Sequence, residues 1–224
     1  MAVSLGGIRV RGVLVDVDGT LLDSNDAHAR SWAEVFKRHG MDIGFERVRP
    51  LIGEGSDKLL PQLTGIDADS AEGKALSAER RKLFLESYLP NLRPTGGART
   101  LVERLKTNGL RVVIATSAGK EELNLLLRQA GVDDLIDRAT GSDAGASKPD
   151  PDIVSAALEQ AKVPPDEAVM VGDTPYDVEA AKRAGVQTIA LRCGGWWDDA
   201  ALAGAVAIYD DPASLGEAGL IQSE

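Results

Sequence analysis

The stretch Val13-Leu14-Val15-Asp16-Val17-Asp18-Gly19-Thr20 is where the fold of this chain declares itself. An apolar, Val-rich run suits a strand buried on both faces of a sheet. It ends in two aspartates, a glycine and a threonine. Side chains alternate along an extended chain, so Asp16 and Asp18 are expected on one side of it. Two like charges that close need a cation or a shared proton. Gly19 permits a tight turn, and Thr20 can hold it with a local hydrogen bond. Taken alone, these residues also fit a capped strand end and a plain Asp-Gly turn.

Outward from this segment the chain alternates between strand and helix. Val- and Ile-rich runs recur at 111–115, 168–171 and 186–191, with a weaker one at 206–209. Between them Ala98, Leu101, Val102 and Leu105, and again Leu123, Leu126, Leu127 and Ala130, keep the i, i+3, i+4, i+7 spacing of an amphipathic helix. Gly109, Gly131 and Gly185 close the helices. This pattern predicts an α/β fold, a doubly wound, mostly parallel sheet covered on both faces. Residues 1–17 read as the first strand. Residues 24–91 break the rhythm and read as helices without strands. Trp32, Val35, Phe36 and His39 share one face, and further helices are expected at 56–63 and 68–89. The expected organisation is a core of residues 1–23 and 92–224 with a small helical cap, 24–91, inserted after the first strand.

Composition narrows the function classes. The 224 residues carry 25 Lys+Arg against 35 Asp+Glu, a formal net charge of −10. An acidic surface argues against nucleic-acid binding, which needs clustered basic groups. A single cysteine, Cys193, and two histidines, His28 and His39, argue against a disulfide framework or a Cys/His metal site. No segment has the roughly 18 apolar residues of a membrane helix. The N-terminal apolar stretch is interrupted by Arg9 and Arg11 and has no Ala-x-Ala site. A cytoplasmic protein without membrane association is expected. Nothing in the sequence chooses between monomer and dimer.

Three further segments place chemistry at the ends of the other strands. The run 111–115 leads into Thr116-Ser117-Ala118-Gly119, where hydroxyls and free amides at a strand-to-helix junction suit an anion, though Ser and Thr here also suit a plain helix cap. The run 168–171 leads into Gly172-Asp173-Thr174-Pro175-Tyr176-Asp177. Asp173 and Asp177 stand one helical turn apart and can face one centre. Before that run, Ser147-Lys148-Pro149-Asp150-Pro151 is a stiff loop able to aim a single cation. Two carboxylate pairs, a hydroxyl and amide cradle and one lysine are the parts of magnesium-assisted phosphoryl transfer.

In these four motifs the chain resembles the haloacid dehalogenase-like superfamily, and within it capped phosphatases of the phosphoglycolate phosphatase and β-phosphoglucomutase type. The resemblance implies hydrolysis of a small-molecule phosphate ester with Mg2+ as cofactor. It implies Asp16 as nucleophile and Asp18 as general acid and base. It implies a metal site of Asp16, the backbone carbonyl of Asp18, and Asp173. Gly19, Thr116, Ser117, Ala118 and Lys148 would bind the phosphoryl group. Thr20 and Asp177 would support these groups from behind. Members that cleave carbon–halogen or carbon–phosphorus bonds lack the second aspartate, so Asp18 favours phosphate esters.

Two alternatives stand beside that expectation. One is a sugar phosphate mutase, supported by His28 and Trp32 but lacking the cap arginine in register, with Arg49 and Lys58 only nearby. The other is a phospho-accepting regulator without turnover. In the cap, His28, Gly53 and Lys58 are candidate substrate contacts, with a hinge or plain turn as the competing reading. Trp32 reads as packing, Arg80-Arg81 as a solvated helix face, Cys193 as inert, and Trp196-Trp197 as aromatics shaping a pocket or an interface.

Overall fold

Burial on alternate faces of short Val- and Ile-rich strands organises the molecule. The computed structural model describes residues 2–223, apart from the side chains of residues 2, 143 and 219–223. The chain begins with β1 (Ala2–Leu5) and β2 (Ile8–Val10), then β3 (Gly12–Val15). The cap helices follow: α1 (Asn25–Arg38), α2 (Phe45–Val48), α3 (Ser56–Thr64) and α4 (Ala71–Leu83). The rest is α5 (Ala98–Thr107), β4 (Arg111–Ala115), α6 (Lys120–Gln129), β5 (Ala139–Thr140), α7 (Asp152–Ala161), β6 (Ala168–Gly172), α8 (Pro175–Arg183), β7 (Gln187–Leu191), β8 (Ala207–Tyr209) and β9 (Leu220–Ser223).

Six strands form a parallel sheet in the order β5-β4-β3-β6-β7-β8. Val13 and Val15 of β3 enter one apolar cluster with α5 and α6, while Leu14 enters the opposite cluster with α7 and α8. The doubly wound sheet expected from the alternation is therefore present. The strand order reverses beside β3, between β4 and β6, and that reversal opens a crevice at the carboxyl ends of the strands.

The N-terminal segment differs from its reading as one strand. Met1 lies outside the described residues. From Ala2 the chain forms a hairpin, β1 against β2, through Gly6 and Gly7 at φ +58° and +84°, and β1 also pairs with β9. A two-residue glycine turn between apolar runs is the signal that was available for this hairpin. The short edge strand β5 was also not anticipated.

The helical segment stands between β3 and α5 and has its own apolar cluster, including Trp32, Val35, Phe36, Leu59, Leu60 and Leu76. The helix expected at 68–89 starts at Ala71, where Ser70 caps the Gly73 N–H at 3.0 Å. It gives way at Phe84 to a wider turn, Phe84–Tyr88. That turn lays the Phe84 ring on His28, with centroids 4.0 Å apart. No helix among the described residues is long and apolar enough to cross a membrane.

Candidate active site

Asp16 follows β3 directly, and its N–H donates to the Val171 carbonyl of β6 at 2.9 Å. The carboxylate is therefore anchored at the strand reversal. Lys148, only 1% exposed, reaches it from the loop before α7, with Nζ 2.5 Å from Asp16 Oδ1 and 2.6 Å from Asp177 Oδ1. Asp177 is fixed by the start of α8, where its Oδ2 accepts from the Thr174 N–H at 3.1 Å and the Thr174 hydroxyl at 2.7 Å. Asp173 accepts from Thr20 Oγ1 at 3.1 Å and from Asn25 Nδ2 at 2.7 Å. Gly19 turns at φ +77°, and a Cβ there would stand 2.1 Å from Asn25 Nδ2 and 2.3 Å from Asp173 Oδ2. Only glycine allows the turn and the close approach together.

Electrostatics at this end follow from burial and excess negative charge. Burial acts to lower Lys148, but Asp16 and Asp177 overcome it and hold the ammonium protonated. Burial, opposed by Lys148 and reinforced by Asp177, Asp173 and Asp18, pushes Asp16 well above the usual carboxylate range. Burial and Asp177 push Asp173 up to about 7. One lysine does not balance these carboxylates. Ligand oxygens of Asp16, Asp173 and Asp177 lie within 4.8 Å of one another. The Asn25 Oδ1 beside them is buried without a partner. Hard, crowded oxygen donors with surplus negative charge fit Mg2+. Both oxygens of Asp177 accept from Lys148 and Thr174, both oxygens of Asp173 accept from Thr20 and Asn25, and Asp16 has Oδ1 engaged by Lys148.

Asp18 occupies different surroundings. Strand β3 ends at Val15, so a tight turn, not the pleat, brings Asp16 and Asp18 to the same cleft. Asp18 Oδ1 accepts from Ser24 Oγ at 2.5 Å and lies 2.8 Å from His28 Nε2. Burial acts to raise this carboxyl, and His28, Ser24 and Arg80 outweigh it, holding it below its ordinary value. On the far wall Thr116, Ser117 and Ala118 line the same cleft, of about 540 Å³. Thr116 Oγ1 accepts from the Ala118 N–H at 3.2 Å.

Residues of the inserted helical segment also line this cleft. Gly53 lines it, and its carbonyl accepts from Ser117 Oγ at 3.4 Å. His28 also lines it and touches Asp18 rather than serving as a hinge bonded to backbone. Lys58, a candidate substrate contact, instead turns to the core: its Nζ donates to the Ser147 carbonyl and stands 2.9 Å from Asp150. Beside it Ser147 Oγ donates to Asp57 at 2.6 Å and accepts from the Gly55 N–H at 3.1 Å.

Arg80 corrects the solvated-face reading: it pairs with Glu122 at 3.2 Å and is nearly buried. Arg81 keeps to that reading, exposed and paired with the exposed Glu121. Trp32 packs in the cap cluster as expected and also reaches the cleft. Cys193 Sγ donates to the Gly19 carbonyl at 3.2 Å, and burial and Asp173 push the thiol up to about 12, which keeps it unreactive. Trp196 and Trp197 meet Phe45 of the cap and Tyr176 of α8, and Arg49 of the cap donates to the Gly194 carbonyl. Asn25, Glu122 and Arg80 were not singled out as site residues. No local spacing marks them, because their partners lie far away in sequence.

The sequence profile of haloacid dehalogenase-like hydrolases matches residues 13–191. A phosphoglycolate phosphatase of Rhodospirillum rubrum is 33% identical over 222 residues, covering 92% of this chain and 90% of its own. The pyrophosphatase PpaX of Bacillus velezensis is 30% identical over 188 residues, covering 80% and 82%. A crystal structure of a hydrolase from Pseudomonas syringae superposes with a TM-score of 0.83 at 27% identity, covering 91% of this chain and 95% of that one. With these likenesses and the four strand-end motifs gathered on one cleft, the chain belongs to the haloacid dehalogenase-like hydrolases and is an enzyme of that family.

Proposed function

We propose that this phosphatase hydrolyses a small phosphate ester through a covalent phosphoryl group on Asp16. The carrying observation is the division of labour between two adjacent carboxylates. Asp16 is held by Lys148 at the closed end of the cleft, and Asp18 is held by Ser24 and His28 at its cap side. In the first step an Asp16 oxygen bonds to phosphorus and the ester P–O bond breaks. The departing oxygen takes a proton from Asp18. In the second step Asp18 takes a proton from water, the water oxygen bonds to phosphorus, and the bond to Asp16 breaks. Thr116, Ser117 and the Ala118 amide hold the phosphoryl oxygens, and Lys148 offsets their charge. Magnesium, held by Asp16, Asp173 and the Asp18 carbonyl, would supply charge neutralisation at the same group.

Residues 24–91 act as the cap that shuts the cleft, excludes bulk water and restricts the substrate to small molecules. Arg81 is the second cation on the cleft-lining face of α4, and Lys74 the third. A screen of phosphorylated metabolites, with and without Mg2+, tests the reading. Multiple turnovers that require Mg2+ support it. Single-turnover labelling without phosphate release would support a regulator, and isomerisation of a hexose 1-phosphate faster than phosphate release would support a mutase.

A further inference from the structure

Four side chains form a continuous chain from the core, through the cap, to Asp18. Glu122, 4% exposed, sits in the first turn of α6 beside the Ser117–Ala118 cradle. Its Oε1 accepts from Arg80 NH1 of α4 at 3.2 Å. The same NH1 stands 3.1 Å from His28 Nδ1 of α1. His28 Nε2 stands 2.8 Å from Asp18 Oδ1. The guanidinium also lies over the Trp32 and Phe84 rings, at 5.4 and 5.8 Å from their centroids. These side chains line the cleft but are largely shielded from solvent, so each hydrogen-bond direction matters.

Those directions can be worked out. Arginine only donates, so His28 Nδ1 must accept. Glu122 lies 4.0 Å from Nδ1, beyond hydrogen-bond reach, and offers no alternative partner for an N–H there. The ring proton therefore sits on Nε2 and points at Asp18 Oδ1. The Ser24 hydroxyl donates to that same oxygen. With two donors on Oδ1, the proton that Asp18 gives and takes is confined to Oδ2.

We infer that Arg80, clamped by Glu122, is a positioning residue that fixes the His28 tautomer and thereby assigns the Asp18 proton transfer to Oδ2. This rests on the phosphatase reading above. Without Arg80, the imidazole is free to carry its proton on Nδ1 and present a lone pair to Asp18. The carboxyl proton is then drawn to Oδ1, away from the leaving group. Because Arg80 belongs to the cap and Glu122 to the core, the chain of contacts is complete only when the two surfaces meet. Proton transfer by Asp18 is thus tied to closure of the cleft.

The test is the dependence of kcat/KM on the leaving group. A poor leaving group, an alkoxide, needs the Asp18 proton, whereas p-nitrophenolate departs with little help. Arg80→Met is expected to lower kcat/KM for alkyl phosphates about 100-fold and for p-nitrophenyl phosphate less than about five-fold. Glu122→Gln should act in the same direction with a smaller loss, and Arg80→Lys, which keeps a donor to Nδ1, should restore most of the rate. In parallel, 15N chemical shifts of the His28 ring should show the proton on Nε2 in the wild type and a shift toward Nδ1 in Arg80→Met. Equal losses across leaving groups, or an unchanged tautomer, would overturn the inference. A wild type without phosphatase turnover would sink the functional reading instead, and the ring shifts would still decide the tautomer.

Discussion

Asp16 and Asp18 are two residues apart in the chain, yet different halves of the molecule govern them. Asp16 looks into the core, where Lys148 comes from the loop before α7 and Asp173 and Asp177 from the segment after β6, all three buried. Asp18 looks toward the cap, where Ser24 and His28 hold one of its oxygens. Their carboxyls are accordingly pushed in opposite directions, Asp16 up by burial and neighbouring carboxylates, Asp18 down by His28 and Ser24. These directions are the reverse of what an ionised nucleophile and a protonated acid need, so a nucleophilic Asp16 would require a cation beside it, and Asp18 would have to take up a proton before it could protonate a leaving group. The partners of Asp16 are set by the parallel sheet, whereas those of Asp18, Ser24 and His28, belong to the inserted helical segment.

The sharpest test of that contrast is Asp16→Asn. It removes the attacking oxygen and is expected to lower kcat by at least about 1,000-fold, measured as phosphate release. Residual turnover within ten-fold of wild type would assign the nucleophile elsewhere. Asp18→Asn should cost less, about 100-fold with alkyl phosphates, since the bond to Asp16 can still form. Measured as kcat/KM, which reports the first step, the loss should be much smaller with p-nitrophenyl phosphate, and an equal loss would overturn the general-acid role; kcat should fall with both substrates, because Asp18 also takes the water proton in the second step.

Stability separates the same two regions. Leu14→Ala opens space between β3 and the α7/α8 face, where the side chain is wholly buried, and should cost about 2–5 kcal/mol in urea unfolding. Leu76→Ala removes a comparable contact from the separate cap cluster. Hydrogen exchange should then accelerate in α1, α3 and α4 before β3 and β6. Simultaneous loss of protection in both would show that cap and core unfold as one unit.

The core carboxylates also predict a pH signature. Asp173 has a folded value of about 7, above that of an unfolded aspartate, so the folded state holds more protons between the two values. Without metal, this group makes stability fall as pH rises from about 4 toward 7. Mg2+ should therefore raise Tm more at pH 8 than at pH 5, and an equal rise at both would contradict the proposed metal site. The smallest effect is expected at the cap clasp. Ser147→Ala removes the hydroxyl shared by Asp57 and Gly55, which should weaken closure by about 1 kcal/mol and raise KM about five-fold with little change in kcat. A fall in kcat alone would show that Ser147 acts through Lys148 and not through the cap.

Several of these features could be read without coordinates, for local reasons. The run Val13–Val15 is apolar at every position because both of its faces are buried, and Asp16, Thr116 and Asp173 each directly follow such a run. The Thr174-Pro175-Tyr176-Asp177 segment carries its own helix cap, so its turn is encoded within four residues. Other features were hidden. Gly6-Gly7 is a local hairpin signal, but it sits inside a stretch apolar enough to pass for one strand, and the pairing of β1 with β9 at the other end of the chain has no local mark. Lys58 stands near a glycine-rich loop and looked free to meet substrate, but Ser147 and Asp150, some 90 residues away, capture it. Arg80 and Glu122 look like ordinary surface charges, because a buried ion pair between distant elements has no local pattern.

The sequence by itself determined the α/β alternation, the inserted helices and the residue types at four strand ends, since each depends on hydrophobic period or on neighbours within a turn. Tertiary structure alone decided which carboxylate faces the lysine, which faces the histidine, and which cap side chains reach the core. Those choices depend on the order of strands in the sheet and on where the cap comes to rest. Both are set by contacts between residues far apart in the chain, in surroundings shielded enough from solvent that one hydrogen bond governs where a proton resides.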